Sequence, residues 1–295
     1  MYVLKIPNFN LRQIYESYQD INILVKQGFE REGFFFFRGE EMIKVEQHDD
    51  RILFSCNDEQ LYDIWFDFFD LSTDYSLLNK AVLDIRSSGT ISNSAKCSDG
   101  VHLLAQDPFE CIVKEMLFTK CSPNKARERL ESIKEATTEE RGKTFKGFGY
   151  TRWRPIPNVD QLKDGLELLD WFCDTETSLI CKHIIEWSES HRMLLDTSKS
   201  HSKDEARTEL LKLVNDEHKV NRILAYGFGF HDVSCVSPKQ SMKIESETEV
   251  DVETIIDFEL SKWKHKQAYV GTILARDQIM KMKNKGKAKC HGNRQ

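Results

Sequence analysis

The residues that offer nucleic-acid chemistry most directly are Arg152-Trp153-Arg154. An indole between two guanidinium groups can stack on a nucleobase while its neighbours meet phosphates. The same indole can instead pack on the surface against Pro155. A second basic feature lies at residues 280–295, which hold Lys281, Lys283, Lys285, Lys287, Lys289 and Arg294 and no acid. The net charge of −6 therefore divides into this positive tail and −12 over the remaining 279 residues. Such a tail either adds salt-sensitive affinity for phosphates or stays solvated and disordered. The eight cysteines contain no C-x-x-C pair and match no zinc or iron–sulfur spacing, so reduced and mostly buried thiols are expected. His183, His191 and His201 share no ligand spacing, and neither a G-x-S-x-G elbow nor a glycine-rich phosphate loop is present. No cofactor and no metal are expected.

These residues sit on a chain of 295 residues, 40% hydrophobic and 31% charged, enough for a sizeable core. No run of about 18 apolar residues exists, and no apolar signal-type segment follows Lys5, so a cytoplasmic protein is expected. Gly33 to Arg38, Met42 to Glu46 and Arg51 to Cys56 alternate like half-exposed antiparallel strands, separated by turns at Gly39-Glu40-Glu41 and Asp49-Asp50. A helix is predicted from Asp58 to about Phe68. From residue 73 the spacing is helical. Asp107-Pro108-Phe109-Glu110 is a strong helix start, with an N-cap, proline at the first helical position and Glu three residues beyond the cap. Ser122-Pro123 opens another helix. Further helices are predicted over 159–165, 179–191, 203–214, 220–226, 252–262 and 269–281, and Thr137–Thr151, polar and glycine-rich, reads as a loop. Sheet first and helices afterwards is an α+β arrangement. The expected organisation is an antiparallel sheet domain over 1–75, a mostly helical domain over 76–279 and a basic, disordered tail over 280–295.

Several segments, in the right order, resemble helix–hairpin–helix DNA glycosylases of the 8-oxoguanine and 3-methyladenine branch. Phe9-Asn10-Leu11-Arg12-Gln13-Ile14 with Ser17-Tyr18-Gln19 resembles F-N-L-x-Q-I…S-G-Q. Phe66-Asp67-Phe68 through Tyr75 resembles the segment joining that family's two domains. Leu103-Leu104-Ala105-Gln106-Asp107-Pro108-Phe109-Glu110 resembles L-x-Q-D-P-F-E and is the most specific match. Pro157 to Leu162, Lys219-Val220, Tyr226-Gly227-Phe228-Gly229 and Trp263 to Ala275 resemble later family segments. The resemblance implies a degenerate hairpin at 210–226 and double-stranded DNA as the partner of a monomeric protein. It places DNA contacts at Lys120, Ser122, Asn124, Arg152, Trp153, Arg154 and His218.

The same resemblance implies gains and losses in chemistry. Lys219 falls where bifunctional members carry a lysine that attacks the sugar C1′ and forms a Schiff base, provided its pKa is lowered. Glycines of the hairpin, which let backbone N–H groups approach phosphate, are replaced by Asn215-Asp216-Glu217, whose charges oppose that approach. The catalytic aspartate, which stabilises positive charge developing on the sugar, aligns with Ser237 or with Lys239; Asp232 is the nearest carboxylate in sequence. In the base pocket, formed by positions 18, 267, 271 and 275, the 8-oxoguanine-reading glycine becomes Tyr18, while Gln267 adds an amide. The glutamine that reads the base edge becomes Gly271 and the stacking phenylalanine becomes Ala275. Loss of these groups removes 8-oxoguanine recognition, and the two small residues suggest extra space. The expected function is therefore excision of a flipped, bulky modified base, leaving an abasic site, as in defence against modified viral DNA. The alternative is a glycosylase-derived module that binds DNA or protein without chemistry.

Overall fold

The computed structural model describes residues 2–28, 31–56, 62–118, 121–196 and 201–292, with backbone alone over 282–292. Its contacts divide the chain into two compact units that alternate along the sequence. The first comprises Met1–Ile6, Asp20–Ser72 and Leu104–Phe230; the second comprises Pro7–Gln19, Thr73–Leu103 and His231–Gln295.

The first unit is built on an antiparallel sheet of β1 (Tyr2–Lys5), β2 (Leu24–Gln27), β3 (Glu32–Arg38), β4 (Glu41–His48) and β5 (Arg51–Ser55), in the order β1-β5-β4-β3-β2. Two-residue turns at Gly39-Glu40 and Asp49-Asp50 join β3, β4 and β5, and Gly39 and Asp49 adopt the positive φ that such turns need. The strands predicted from alternation are present; β5 alternates buried and half-exposed residues as expected, but the middles of β3 and β4 are buried throughout. Phe34, Phe35, Phe36 and Phe37 are all buried, because both faces of β3 are covered. Phe36 meets Phe68 and Phe69 edge-on at 6.0 and 4.8 Å, below the helix Tyr62–Phe68. The opposite face, with Phe35, Phe37 and Met42, is covered by Phe145, Phe148 and Trp153.

That cover corrects the loop expected at Thr137–Thr151. It is a hairpin of β6 (Arg141–Phe145) and β7 (Gly149–Trp153). Gly147 and Gly149 take positive φ at its turn, and the buried Phe145 supplies the anchor that its polar, glycine-rich composition conceals.

Around the sheet, the first unit is helical. The Asp107 carboxylate accepts from the backbone N–H groups of Phe109 and Glu110 at 2.9 and 3.1 Å, starting the helix Pro108–Leu117. Every residue of this helix is buried, including Glu110, Lys114 and Glu115. The Ser122 cap opens the helix Pro123–Thr137, and helices Thr175–Ser190, Lys203–Val214 and Glu217–Tyr226 follow.

The second unit packs helices Leu11–Glu16, Tyr75–Leu83, Gly89–Cys97, Pro238–Thr248 and Val252–Glu259 with the last helix, Lys266–Gly292. Tyr269 is buried there and donates its hydroxyl to Asn79 Oδ1 at 3.1 Å. The last helix runs through most of the segment read as a basic tail. The described cysteines are free thiols, and no helix among the described residues is long and apolar enough to cross a membrane.

Candidate active site

The helix Lys203–Val214 stops at Asn215, whose φ of 46° and ψ of 35° place it in the left-handed region. Asparagine tolerates this conformation better than most residues, so the sharp turn survives without the glycine. Asp216 then caps the helix Glu217–Tyr226, its Oδ1 accepting from Lys219 N at 3.2 Å, and Glu217 pairs with Arg207 at 3.1 Å. Both hairpin acids thus have local work, as a cap at the positive end of a helix and as an ion-pair partner.

Lys219 sits in the first turn of that helix and is half-buried. Burial holds its ammonium below the ordinary lysine value, against the opposing pull of the Glu115 and Asp216 carboxylates. The positive end of the helix acts in the same direction as burial. One turn along, Arg222 donates Nε to Glu115 Oε1 at 2.8 Å, with both side chains buried or nearly so. Lys219 and Arg222, three residues apart, share one helix face, so Glu115 belongs to the Lys219 surroundings. Sequence reading missed Glu115 and Arg222. The one available signal was the pair Lys114-Glu115 inside an otherwise apolar helix.

The same buried helix carries a second charged group. Lys114 Nζ lies 3.2 Å from Asp20 Oδ1 and 3.7 Å from Glu110 Oε2, and Gly39 N donates to Glu110 Oε1 at 2.6 Å. Burial pushes the Glu110 carboxyl up to about 7, although Lys114 opposes the shift. Burial also raises the Cys111 thiol, so it is no ready nucleophile.

In the second unit, Ser237 is the N-cap of Pro238–Thr248, in a capping box with Gln240, whose Oε1 accepts from Ser237 N at 3.2 Å and from its hydroxyl at 2.8 Å. The hydroxyl occupies a helix N-terminus where an anion would be stabilised, but it supplies none. Lys239 and Asp232 are exposed, and Lys239 lines a cavity of about 450 Å³ with Thr90, Lys243, Asp277 and Lys281.

Residues 5–112 match the model of the N-terminal domain of 8-oxoguanine DNA glycosylase. Among solved structures, MBOgg1 in complex with a low-affinity DNA ligand superimposes with a TM-score of 0.74 at 18% identity, covering 95% of each chain. The 8-oxoguanine glycosylase/lyase of Clostridium acetobutylicum, with double-stranded DNA containing cytosine opposite 8-oxoG, gives 0.71 at 19% identity, over 92% of this chain and 91% of that one. The 3-methyladenine DNA glycosylase of Archaeoglobus fulgidus gives 0.69 at 13% identity, over 94% and 99%. The chain has the fold of the helix–hairpin–helix DNA glycosylases. No curated protein matches it by sequence.

Within this glycosylase fold, the residues assigned to a base pocket take distinct roles. Tyr18 is buried with φ of +54°, so it retains a backbone conformation that favours glycine while adding a phenol ring. Gln267 is buried and engages its amide nitrogen internally, donating Nε2 to Asp257 Oδ1 at 3.0 Å and to Glu253 O at 3.3 Å. Gly271 corrects an expectation. It opens no space: a Cβ there would fall 2.5 to 2.8 Å from Cys235 C, Cβ and Cα, so the last helix needs glycine to lie against that backbone. Ala275 is half-buried on the same helix.

The residues assigned to DNA contact also separate. Ser122 accepts from Lys125 N at 3.3 Å as a helix cap, and Asn124 is exposed in the first turn beyond it. His218 is half-buried beside Lys219 in the hairpin helix. Arg152 is exposed at the hairpin, paired with Glu140 at 3.2 Å. Trp153 is half-buried and packs on the sheet, its ring 6.4 Å from Phe37. Arg154 donates to Thr138 O. Lys120 lies outside the described residues.

Proposed function

We propose that the chain is a DNA glycosylase that uses Lys219 on a nucleotide flipped out of double-stranded DNA. The observation that carries this reading is the half-buried Lys219 amine, depressed in pKa, at the start of the helix after a turn that keeps its left-handed residue. A neutral amine can attack C1′. The Nζ–C1′ bond forms as the C1′–N glycosidic bond breaks, and the base leaves with the bonding pair and gains a proton. The amine loses its proton and the sugar ring opens to a Schiff base. The base would not be 8-oxoguanine, because Tyr18, Gly271 and Ala275 stand where its readers are expected. A larger modified base, such as one of viral DNA, now rests on Ala275 alone, since Gly271 supplies no room. Borohydride trapping on duplexes carrying different modified bases tests the reading. A covalent adduct lost in Lys219→Ala supports it; release of base without trapping moves it to hydrolysis by water.

One observation favours a second reading, a DNA-binding module without chemistry: Ser237 gives a helix N-terminus where a carboxylate is expected. Binding to modified duplexes with no base release from any of them would support it.

A further inference from the structure

The sheet face under the β6–β7 hairpin is unevenly covered. Strand register sets Phe35 opposite Lys44, Lys44 opposite Ser55 and Glu46 opposite Leu53, so these side chains share one face. The apolar part of that face is sealed by Phe145 and Phe148. Phe148 is seated by design of the backbone: a Cβ on Gly28 or Gly33 would come within 2.7 Å of its ring. The polar part is left as the floor of a cavity of about 500 Å³, walled by β6 and the hairpin turn.

Among the described residues four cations line this cavity, Arg31, Lys44, Lys143 and Lys146, with one carboxylate, that of Glu46. Glu46 is already engaged, by Lys44 and by Arg31 at 3.2 Å, and both Lys44 and Glu46 are buried. Among the described residues neither Lys143 nor Lys146 forms an ion pair. Lys143 is half-buried, with its Nζ 4.9 Å from the Phe145 ring centroid. Partial burial disfavours the Lys143 cation against the weaker pull of the Glu41 carboxylate, and an arriving anion would offset that cost. The Ser55 and Thr144 hydroxyls add neutral donors, and aromatic carbon supplies part of the wall.

We propose that this cavity binds a nucleotide-sized organic phosphate, with Lys143 and Lys146 meeting the phosphate group and the Phe148 side of the wall meeting its carrier. The cavity is larger than a bare phosphate requires and matches the size class of small-molecule sites. Its surplus of positive charge favours an anionic occupant over a cationic one. Burial already depresses the Lys143 pKa, and a bound phosphate would oppose that shift. The site is independent of Lys219 and of any base excision.

Calorimetric titration of the full chain with adenosine monophosphate, adenosine and inorganic phosphate tests this. The monophosphate should bind at least about tenfold more tightly than adenosine, and more tightly than inorganic phosphate. The double variant Lys143→Ala, Lys146→Ala should lose that binding by about tenfold or more while its circular dichroism is unchanged. The milder Lys146→Gln, at an exposed turn position, covers the case in which the double variant misfolds, and should weaken binding in the same direction. A duplex bearing a 5′-phosphate identifies the source. If it displaces the mononucleotide and its unphosphorylated twin does not, a DNA end supplies the phosphate; if neither does, the ligand is a free nucleotide. Equal binding of adenosine and its monophosphate, no binding of the monophosphate, or full binding in Lys146→Gln would overturn the proposal.

Discussion

Two helix starts, at Asp216-Glu217 and at Ser237-Pro238, fall where the glycosylase resemblance places catalytic groups, and they have diverged differently. At the first, the glycines are gone, yet Asn215 keeps the left-handed turn and Lys219 keeps its amine. At the second, the capping geometry is intact, but Ser237 and Gln240 fill it with neutral groups. Both positions start a helix, the first capped by the Asp216 carboxylate and the second by neutral groups. A capping position accepts Ser or Asp with similar stability, so it can lose its charge without losing its helix. An exchange of Asp and Ser at such a position therefore leaves little mark on folding.

This contrast can be broken experimentally. The largest effect is expected at Lys219. Lys219→Ala should remove the borohydride adduct and cut base release by at least about 10²-fold, measured in single turnover. Glu110 gives the next. Its folded carboxyl titrates near 7, above its ordinary 4.5, so the folded state holds the proton longer and stability falls as pH rises across that interval. Glu110→Gln should flatten that fall, raising the unfolding free energy at pH 8 by up to about 3 kcal/mol in urea titrations. Gly271→Ala should destabilise the fold by about 2 kcal/mol, because its methyl group would strike backbone that cannot move aside; an unchanged melting temperature would show that the last helix lies elsewhere. Ser237→Asp should return an anion to the second helix start and speed base release about tenfold, with little change in stability. The smallest effect is a displacement. Glu115→Gln removes a carboxylate that favours the Lys219 cation, so the pH profile of trapping should move to lower pH.

How much was legible in the sequence depended on whether a signal was local. Asp107-Pro108 and Ser122-Pro123 announced their helices, since capping is decided within four residues. The limits of Lys203–Val214 came out as expected. The helix Gly89–Cys97 was missed: Gly-Thr-Ile-Ser-Asn-Ser is a poor helix former, and the helix rests on the Ser88 cap and on burial of Ile91 and Ala95. The β6–β7 hairpin was missed because Phe145 finds its place only against Phe35 of the sheet and Phe148 only against Gly28 and Gly33, both distant in sequence. At the candidate site Lys219 could be named from its motif. Glu115 could not, because nothing local tells a buried charge from a solvated one. Gly271 was misread as vacancy, although a lone glycine inside a helical pattern more often marks close backbone approach.

The run of four phenylalanines in β3 has a consequence for strand pairing. In most strands a shift by one residue exposes the apolar side and is rejected at once. Here such a slip would exchange one phenyl ring for another on each face, and greasiness would register no error over those positions. Alignment must be enforced at the ends of the run, by Gly33, whose missing side chain, like that of Gly28, leaves room for the Phe148 ring, and by the charged Glu32 and Arg38. A single added methyl group at Gly33 would thus blur the frame in which the whole sheet is read.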